Sequence, residues 1–320
     1  MDNILTIVVP CFNEEEVLPE TLKELGAILI KLKNKELISN KSKILFVDDG
    51  SKDKTWNLIE KYTKELDYVG GIKFSRNYGH QNALIAGMTE AVEFADMIIT
   101  IDADLQDDVN AIPEMIQKYL NGVDVVYGVR NNRDTDTVFK RRTALLFYQL
   151  MKKIGVKLVP NSADYRLLSK RAVQALLQFK ERNLFLRGIV PLVGYKSDKV
   201  YYARKDRFAG TSKYPLKKMI HFAMDGITSF SLAPIHLIFG MGTFIVLIGI
   251  LLMIYSIFEK FTGHVTSGWS SLMISIWLIG GVQLISLSVI GDYIGKIFTE
   301  VKKRPRFTIE KIKFNEKFKQ

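Results

Sequence analysis

Two aspartates spaced two apart, Asp102 and Asp104, follow the very apolar run Met97-Ile98-Ile99-Thr100-Ile101. In an extended segment residues two apart point to the same side, so both carboxylates can face one hard cation. Mg2+ or Mn2+ uses such oxygen ligands and bridges them to a diphosphate, offsetting charge that develops on a leaving group. Gln106 and Asp107 follow closely enough to complete a metal shell or meet a substrate. A lone Asp-x-Asp is usually a solvated loop; a place at the end of a buried strand favours the site. Two other strand ends are polar in the same way: Pro10-Cys11-Phe12-Asn13-Glu14-Glu15 and Asp48-Asp49-Gly50-Ser51. Asp48 and Asp49 read equally well as an Asx turn or helix cap before Lys54-Thr55-Trp56, with one carboxylate left for a base or ribose. Asn13 and Glu14 read as a cap and first-turn acid for the helix that follows. There is no Gly-x-Gly-x-x-Gly after the first strand and no Gly-Lys-Ser/Thr, so a nucleotide at these ends is held in another way.

The elements that would carry these residues alternate. Leu5 to Val9, Lys43 to Val47, Val69 to Phe74, Met97 to Ile101 and Val123 to Val129 read as strands. Glu14 to Lys33, Asp53 to Leu66, Gln81 to Phe94 and Val109 to Leu120 read as helices. This spacing predicts a mostly parallel sheet covered on both faces, with ligands collecting beyond the carboxyl ends of its strands.

Beyond about Asp225 the chain changes character. Ile235 to Phe258 is apolar apart from His236, and a second apolar run extends from Leu272 to about Ile290. Each is long enough to cross a hydrocarbon core of about 30 Å, which takes roughly 20 helical residues. The glycines Gly240, Gly242, Gly249, Gly280 and Gly281 suit packed membrane helices better than soluble ones. The link from Glu259 to Ser271 carries one Lys and one Glu, whereas Lys213, Lys217, Lys218, Lys296, Lys302, Lys303, Arg304 and Arg306 flank the other ends. The positive-inside rule therefore places both termini in the cytoplasm. The net charge of +11 among 320 residues fits anionic headgroups or a lipid-borne phosphate; no nucleic-acid-binding motif accompanies it. Arg204, Arg207 and Lys213 precede the first apolar run, where a lipid phosphate would sit, and Arg matches phosphate oxygens well. Met219 to Leu232 and Lys140 to Lys153 read as interfacial helices. Met1 to Pro10 is a short strand-like run without a basic leader, so no signal peptide is expected. One cysteine and four histidines leave no disulfide framework or zinc site.

The combined motifs resemble inverting glycosyltransferases of the GT-A fold. Phe74-Ser75-Arg76-Asn77-Tyr78-Gly79-His80-Gln81, Asp164-Tyr165-Arg166-Leu167, Glu181 to Gly188 and Arg207 to Tyr214 narrow the likeness to the polyprenyl-phosphate branch, bactoprenol glucosyltransferases and dolichyl-phosphate mannose synthases. The likeness covers about residues 4 to 305. It implies nucleotide contacts from Pro10, Phe12, Asn13, Glu14, Asp48, Asp49, Arg76 and Asp102, and a metal and diphosphate held by Asp102 and Asp104 with Gln106 beside them. It implies an acceptor phosphate held by Arg204, Arg207, Ser212, Lys213 and Tyr214, and Asp164 as base or orienting group, the orienting role being preferred. The expected domains are a cytoplasmic catalytic head (1–212), an interfacial helix (213–232), two transmembrane helices (233–296) and a basic cytoplasmic tail (297–320). The expected reaction is transfer of a hexose from a nucleotide sugar, UDP-glucose first, to undecaprenyl phosphate. Alternatives are a UDP-N-acetylglucosamine or GDP-mannose donor, a polysaccharide synthase, or a non-catalytic membrane binding protein. The resemblance also allows a homo-oligomer, with no interface legible in the residues.

Overall fold

The computed structural model describes residues 3–131, 158–182, 185–204, 228, 233–262 and 268–315. The chain divides into two compact units. A head runs to Pro215 and resumes at Arg304, and a second unit holds most of what lies between. The run Lys140 to Lys153, most of Met219 to Leu232, and Arg133, Arg207, Ser212, Lys213 and Tyr214 lie outside the described residues.

The head is built from β1 (Leu5–Cys11), α1 (Leu18–Asn34), β2 (Lys43–Asp48), α2 (Thr55–Glu65), β3 (Val69–Phe74), α3 (His80–Ala91) and β4 (Met97–Thr100). It continues through α4 (Ile112–Leu120), β5 (Val125–Arg130), β6 (Ser162–Ser169), α5 (Lys170–Leu177), the single turn α6 (Leu186–Ile189), β7 (Ser197–Tyr202) and, after the second unit, β8 (Ile309–Phe314). One eight-stranded sheet runs β7-β5-β6-β4-β1-β2-β3-β8. Pairs β1/β2, β2/β3, β1/β4 and β5/β7 are parallel; β4/β6, β5/β6 and β3/β8 are antiparallel. This is the mixed, mostly parallel α/β head expected. Every residue of β1, β2, β4 and β6 is buried, as a sheet covered on both faces requires.

The elements from Lys170 to Tyr202, α5, α6 and β7, were not read from the sequence, and three other departures have identifiable reasons. The first helix begins at Leu18 instead of Glu14. The Glu14 and Glu15 N–H groups donate to Thr55 Oγ1 (2.9 Å) and Asp53 Oδ2 (3.2 Å), which ties that stretch to the turn before α2. Strand β6 went unread because Asp164 and Arg166 alternate with Ala163, Tyr165 and Leu167, yet all are buried. The expected tail, 297–320, is corrected most. Its first residues extend a helix to Val301, and Ile309–Phe314 joins the sheet at its edge beside β3. Lysines within Ile309-Glu310-Lys311-Ile312-Lys313-Phe314 disguised the strand; two of its charges pair with the head, Glu310 with Lys73 (3.0 Å) and Lys313 with Glu60 (3.5 Å).

Helix α3 lies on β1 and β2 through small residues. A Cβ on Gly87 would come within 2.3 Å of Val8 Cγ1 and 3.0 Å of Val47 Cγ2. The second unit holds α7 (Ala233–Thr262) and α8 (Trp269–Val301). Both contain windows long and apolar enough to cross a membrane, Pro234–Leu251 with mean hydropathy 2.2 and Ile279–Val301 with 1.2, and no residue of either window is buried. Phe239, Phe244, Leu251, Leu284 and Leu287 are each more than 60% exposed. A soluble core helix would hide such side chains, and a water-facing surface seldom carries so many together.

Gly87→Ala should lower the stability of the head by about 1–3 kcal/mol, because overpacking against Val8 outweighs the roughly 1 kcal/mol gain in helix propensity. Thermal unfolding of the purified protein checks this. An unchanged or raised midpoint would mean that α3 can move away from the sheet.

Candidate active site

The carboxyl ends of β1, β2 and β4, with the amino end of the antiparallel β6, bring the singled-out acids to one end of the sheet. At the first two, the loops interlock. Asn13 adopts a left-handed conformation (φ 53°), tolerated by its short polar side chain. Its N–H donates to Ser51 Oγ and its Oδ1 accepts from the Lys52 N–H, both at 2.9 Å. Pro10 lies within the β1–β2 ladder opposite Val47, while Phe12 is 37% exposed. Asp49 spends both carboxylate oxygens on the loop after β3, accepting from the N–H groups of Tyr78 (2.6 Å) and Gly79 (2.9 Å). Asp48 Oδ1 accepts from the Ser51 N–H (3.2 Å), whereas its buried Oδ2 has no hydrogen-bond partner. The turn reading thus holds for Asp48 Oδ1, and the acid at the start of α2 is Asp53, which bonds Thr55. Asn13 and Glu14 do not cap α1 as expected: the helix starts at Leu18 with no side-chain cap, its first-turn acid is Glu20, and the Asn13 amide bonds the Lys52 N–H instead. Burial raises the carboxyls of both Asp48 and Asp49, against the opposing pull of these hydrogen bonds. The Arg76 guanidinium lies over the Tyr78 ring, 4.3 Å from its centroid.

Beyond β4 the expected alternation of Asp102 and Asp104 does not apply. The strand ends at Thr100, and a turn with Leu105 at φ 56° carries Asp104, whose Oδ1 accepts from the Gln106 N–H (3.2 Å). The two carboxyls are still close enough to interact. Burial pushes Asp102 up to about 6, Asp107, Asp164 and Asp104 add to the rise, and His80 opposes it. Asp102 Oδ1 is buried without a hydrogen bond among the described residues, 3.3 Å from His80 Nε2. A cation would relieve that crowding, so the donor chemistry fits a divalent metal. Among the described residues no group of three or more His, Cys, Asp or Glu could hold one. A metal here would take its other ligands from a diphosphate and water, as Mg2+ commonly does. Gln106 Oε1 accepts from Arg204 Nη2 (2.5 Å), which joins one expected metal neighbour to one expected acceptor residue. Asp107 is part of the frame: its Oδ1 accepts from Arg130 (3.1 Å) and from the Tyr202 hydroxyl (2.5 Å).

Asp164 sits on β6 and is locked by cations. Its Oδ1 accepts from the buried Arg166 guanidinium, and Arg187 Nη2 lies 3.4 Å and His80 Nε2 3.8 Å from its Oδ2. Burial alone would raise this carboxyl; Arg187, Arg166 and His80 outweigh it and hold Asp164 well below the usual carboxylate range. Such a group is a poor proton acceptor, which favours the orienting role. His80 and Arg187 were not singled out in the sequence, although both stand inside motifs quoted there. His80 is the first residue of α3, and Gln81 Oε1 accepts from the Leu186 N–H (3.0 Å), which sets the turn that carries Arg187. The readable signal was a histidine opening a helix right after a strand-end loop.

Comparison with known proteins identifies the family. The sequence signature described as "Glycosyl transferase family 2" matches residues 6–177. The uncharacterized glycosyltransferase YkoT of Bacillus subtilis is 52% identical over 98% of this chain and 93% of its own length. The SfII prophage-derived bactoprenol glucosyl transferase of Shigella flexneri is 40% identical over 96% of this chain and 97% of its own. Among solved structures, mannosyltransferase PcManGT from Pyrobaculum calidifontis, in complex with GDP-Man and Mn2+, aligns with TM-score 0.45 and 14% identity over 95% of this chain and 89% of its own.

Asp164→Asn should destabilise the head by about 3–5 kcal/mol, because it strands the buried Arg166 guanidinium. The depressed native value means that Asp164 contributes stability above its ordinary value of 3.8 and loses it as the pH falls further. Wild-type melting temperature should therefore fall with acidification, and the variant should lose that part of the slope. Parallel melting curves for the two proteins would contradict the pairing.

Proposed function

The chain belongs to glycosyl transferase family 2, and on that premise we propose that it transfers a hexose from a nucleotide sugar, UDP-glucose first, to a polyprenyl phosphate at the cytoplasmic membrane face. The observation that carries this reading is the pairing, in one chain, of crowded strand-end carboxylates with two exposed apolar helices lying between β7 and β8. The 40% identity with bactoprenol glucosyl transferases over nearly all of both chains supports the acceptor class and glucose as the sugar.

Strand pairing bears on orientation as well. Because β8 joins β3 in the head's own sheet, residues before 204 and after 304 lie on one side of any bilayer. The number of crossings between them is then even, and α7 and α8 supply two. The lysines and arginines flanking that insertion favour the cytoplasm for the head.

In this reading the nucleoside lies against Asp48, Asp49, Arg76 and the Pro10 to Glu14 turn, with its diphosphate directed to Asp102 and Asp104. When bound there, Mg2+ or Mn2+ supplies positive charge beside the diphosphate. An oxygen of the acceptor phosphate forms a bond to the anomeric carbon from the face opposite the diphosphate. The carbon–oxygen bond to the diphosphate breaks with its electron pair, and the configuration inverts. A phosphate monoester already carries about −1.5 to −2 charges near neutral pH, so no strong base is needed. This matches the firmly ionised state of Asp164, whose part with Arg187 is to place the acceptor. Arg204, held through Gln106, is the described residue suited to the acceptor phosphate. Arg207, Ser212, Lys213 and Tyr214 join it in the proposal. Rate then comes from in-line placement and charge neutralisation.

The test is a purified-protein assay with undecaprenyl phosphate in nanodiscs and UDP-glucose, UDP-N-acetylglucosamine or GDP-mannose. We expect a lipid-linked hexose from UDP-glucose, abolished by EDTA and restored by Mg2+ or Mn2+, and a loss of about 10²-fold or more for Asp102→Asn. No transfer from any of the three donors would overturn the reading. Transfer from another of them would replace the sugar and keep the rest.

A further inference from the structure

The loop that closes the donor side of the site is held by the far end of the chain. Ser75 to Gly79 follows β3 and reaches the strand ends through Asp49, which accepts from the Tyr78 and Gly79 N–H groups. A Cβ on Gly50 would meet the Arg76 and Asn77 backbone within 2.3–2.6 Å, so the turn after β2 packs directly on this loop. On its other side stands the segment between α8 and β8. The Phe307 ring stacks on the buried Phe74 ring (centroids 5.0 Å, 13° between planes), and Phe74 meets Tyr78 edge to face (5.7 Å). The Ser75 N–H donates to the Thr308 carbonyl (3.1 Å), and the Thr308 side chain hydrogen-bonds the Tyr78 phenol. Arg76 in turn lies on the Tyr78 ring. The segment itself is pinned at both ends. Arg306 donates to the Phe179 carbonyl (2.6 Å) just beyond α5, and β8 is paired along β3.

We propose that Phe307 and Thr308 are positioning residues for the nucleoside diphosphate of the donor, acting through Tyr78 on Arg76 and on the loop that Asp49 secures. The inference rests on the reading of Asp48, Asp49 and Arg76 as the donor side of the site. Its physical basis is local. An aromatic pair contributes about 0.5–1.5 kcal/mol beyond its area burial, and it adds to what the Asp49 carboxylate, the Gly50 turn and the Asn82 amide on the Tyr78 carbonyl (2.7 Å) supply to the loop. A loop of this kind, freed on one side, samples more conformations, and a ligand must then select the competent one at a cost in apparent affinity. His80, which follows the loop directly, faces Asp102 and Asp164, so the effect on donor affinity is told apart from an effect on the chemistry by the split between KM and kcat.

The experiment measures UDP binding by calorimetry and the kinetics of the full-length protein in nanodiscs, for Phe307→Ala, Phe307→Tyr, Thr308→Val and Arg76→Ala. The expected result for Phe307→Ala is a rise of about 3- to 10-fold in the UDP Kd and donor KM, with kcat and acceptor KM within about 2-fold of wild type. Phe307→Tyr keeps the stacked ring and should restore donor affinity. Thr308→Val, which removes only the hydroxyl, should show a smaller shift in the same direction, and it carries the test if Phe307→Ala does not fold. A fall in kcat with donor KM unchanged, or equal loss of donor and acceptor affinity, would overturn the proposal as a mere effect on folding. Unchanged UDP affinity in Arg76→Ala would instead remove Arg76 from the donor site, and with it the reading on which the inference stands. Weakened binding in Arg76→Ala with wild-type binding in Phe307→Ala and Thr308→Val would overturn the inference alone.

Discussion

Crowded negative charge at one end of the sheet is the constraint on which the rest of this molecule depends. Asp48, Asp49, Asp102, Asp107 and Asp164 all lie where the sheet meets its ligand face, and buried carboxylates demand partners. The protein satisfies them unequally. Both oxygens of Asp49 are taken by backbone N–H groups, and both of Asp164 face arginines. Among the described residues, Asp48 Oδ2 and Asp102 Oδ1 are buried with no hydrogen-bond partner. The first group builds the frame, and the second marks where added positive charge, or the hydroxyls and N–H groups of a nucleotide sugar, would be taken up. The raised carboxyl of Asp102 and the depressed one of Asp164 express the same division.

That division also explains the economy of the reaction. A transferase acting on a hydroxyl needs a base matched to its proton, and a carboxylate clamped by Arg166 and Arg187 is a poor one. In the proposed reaction a phosphate acceptor would remove the need and leave Asp164 to geometry. The fold supports this by closing on itself. The polypeptide leaves the head after β7, makes two long apolar helices, and returns as β8 against β3. The two apolar helices are therefore an insertion between strands of the head's sheet, and the returning segment reaches the loop after β3.

Much of the head was legible because its signals are local. The strands β1 to β5 were read with their ends within about two residues, since each is an apolar run between polar turns, and the polar strand ends pointed to the site. The two apolar helices were equally plain from length and composition. What escaped was set by tertiary context. β6 buries two charged residues at alternate positions, which read as half-exposed until Asp164 and Arg166 are seen to neutralise each other. β8 is an edge strand whose lysines read as a tail. His80 and Arg187 carry no distinctive spacing; they matter because α3 and α6 converge on Asp164. The alternation argument for Asp102 and Asp104 failed locally, because a turn at Leu105 replaces the extended backbone it assumed.

The most direct test of the central claim, that the unsatisfied carboxylate at the end of β4 receives a metal and a diphosphate, is a calorimetric titration of UDP into the purified protein and into Asp102→Asn, each with Mn2+ and with EDTA. The account predicts that Mn2+ tightens UDP binding to the wild type by about tenfold or more, equivalent to ~1.4 kcal/mol, and that Asp102→Asn loses this gain while retaining the metal-independent part. UDP binding that is indifferent to Mn2+ and equal in the two proteins would contradict it.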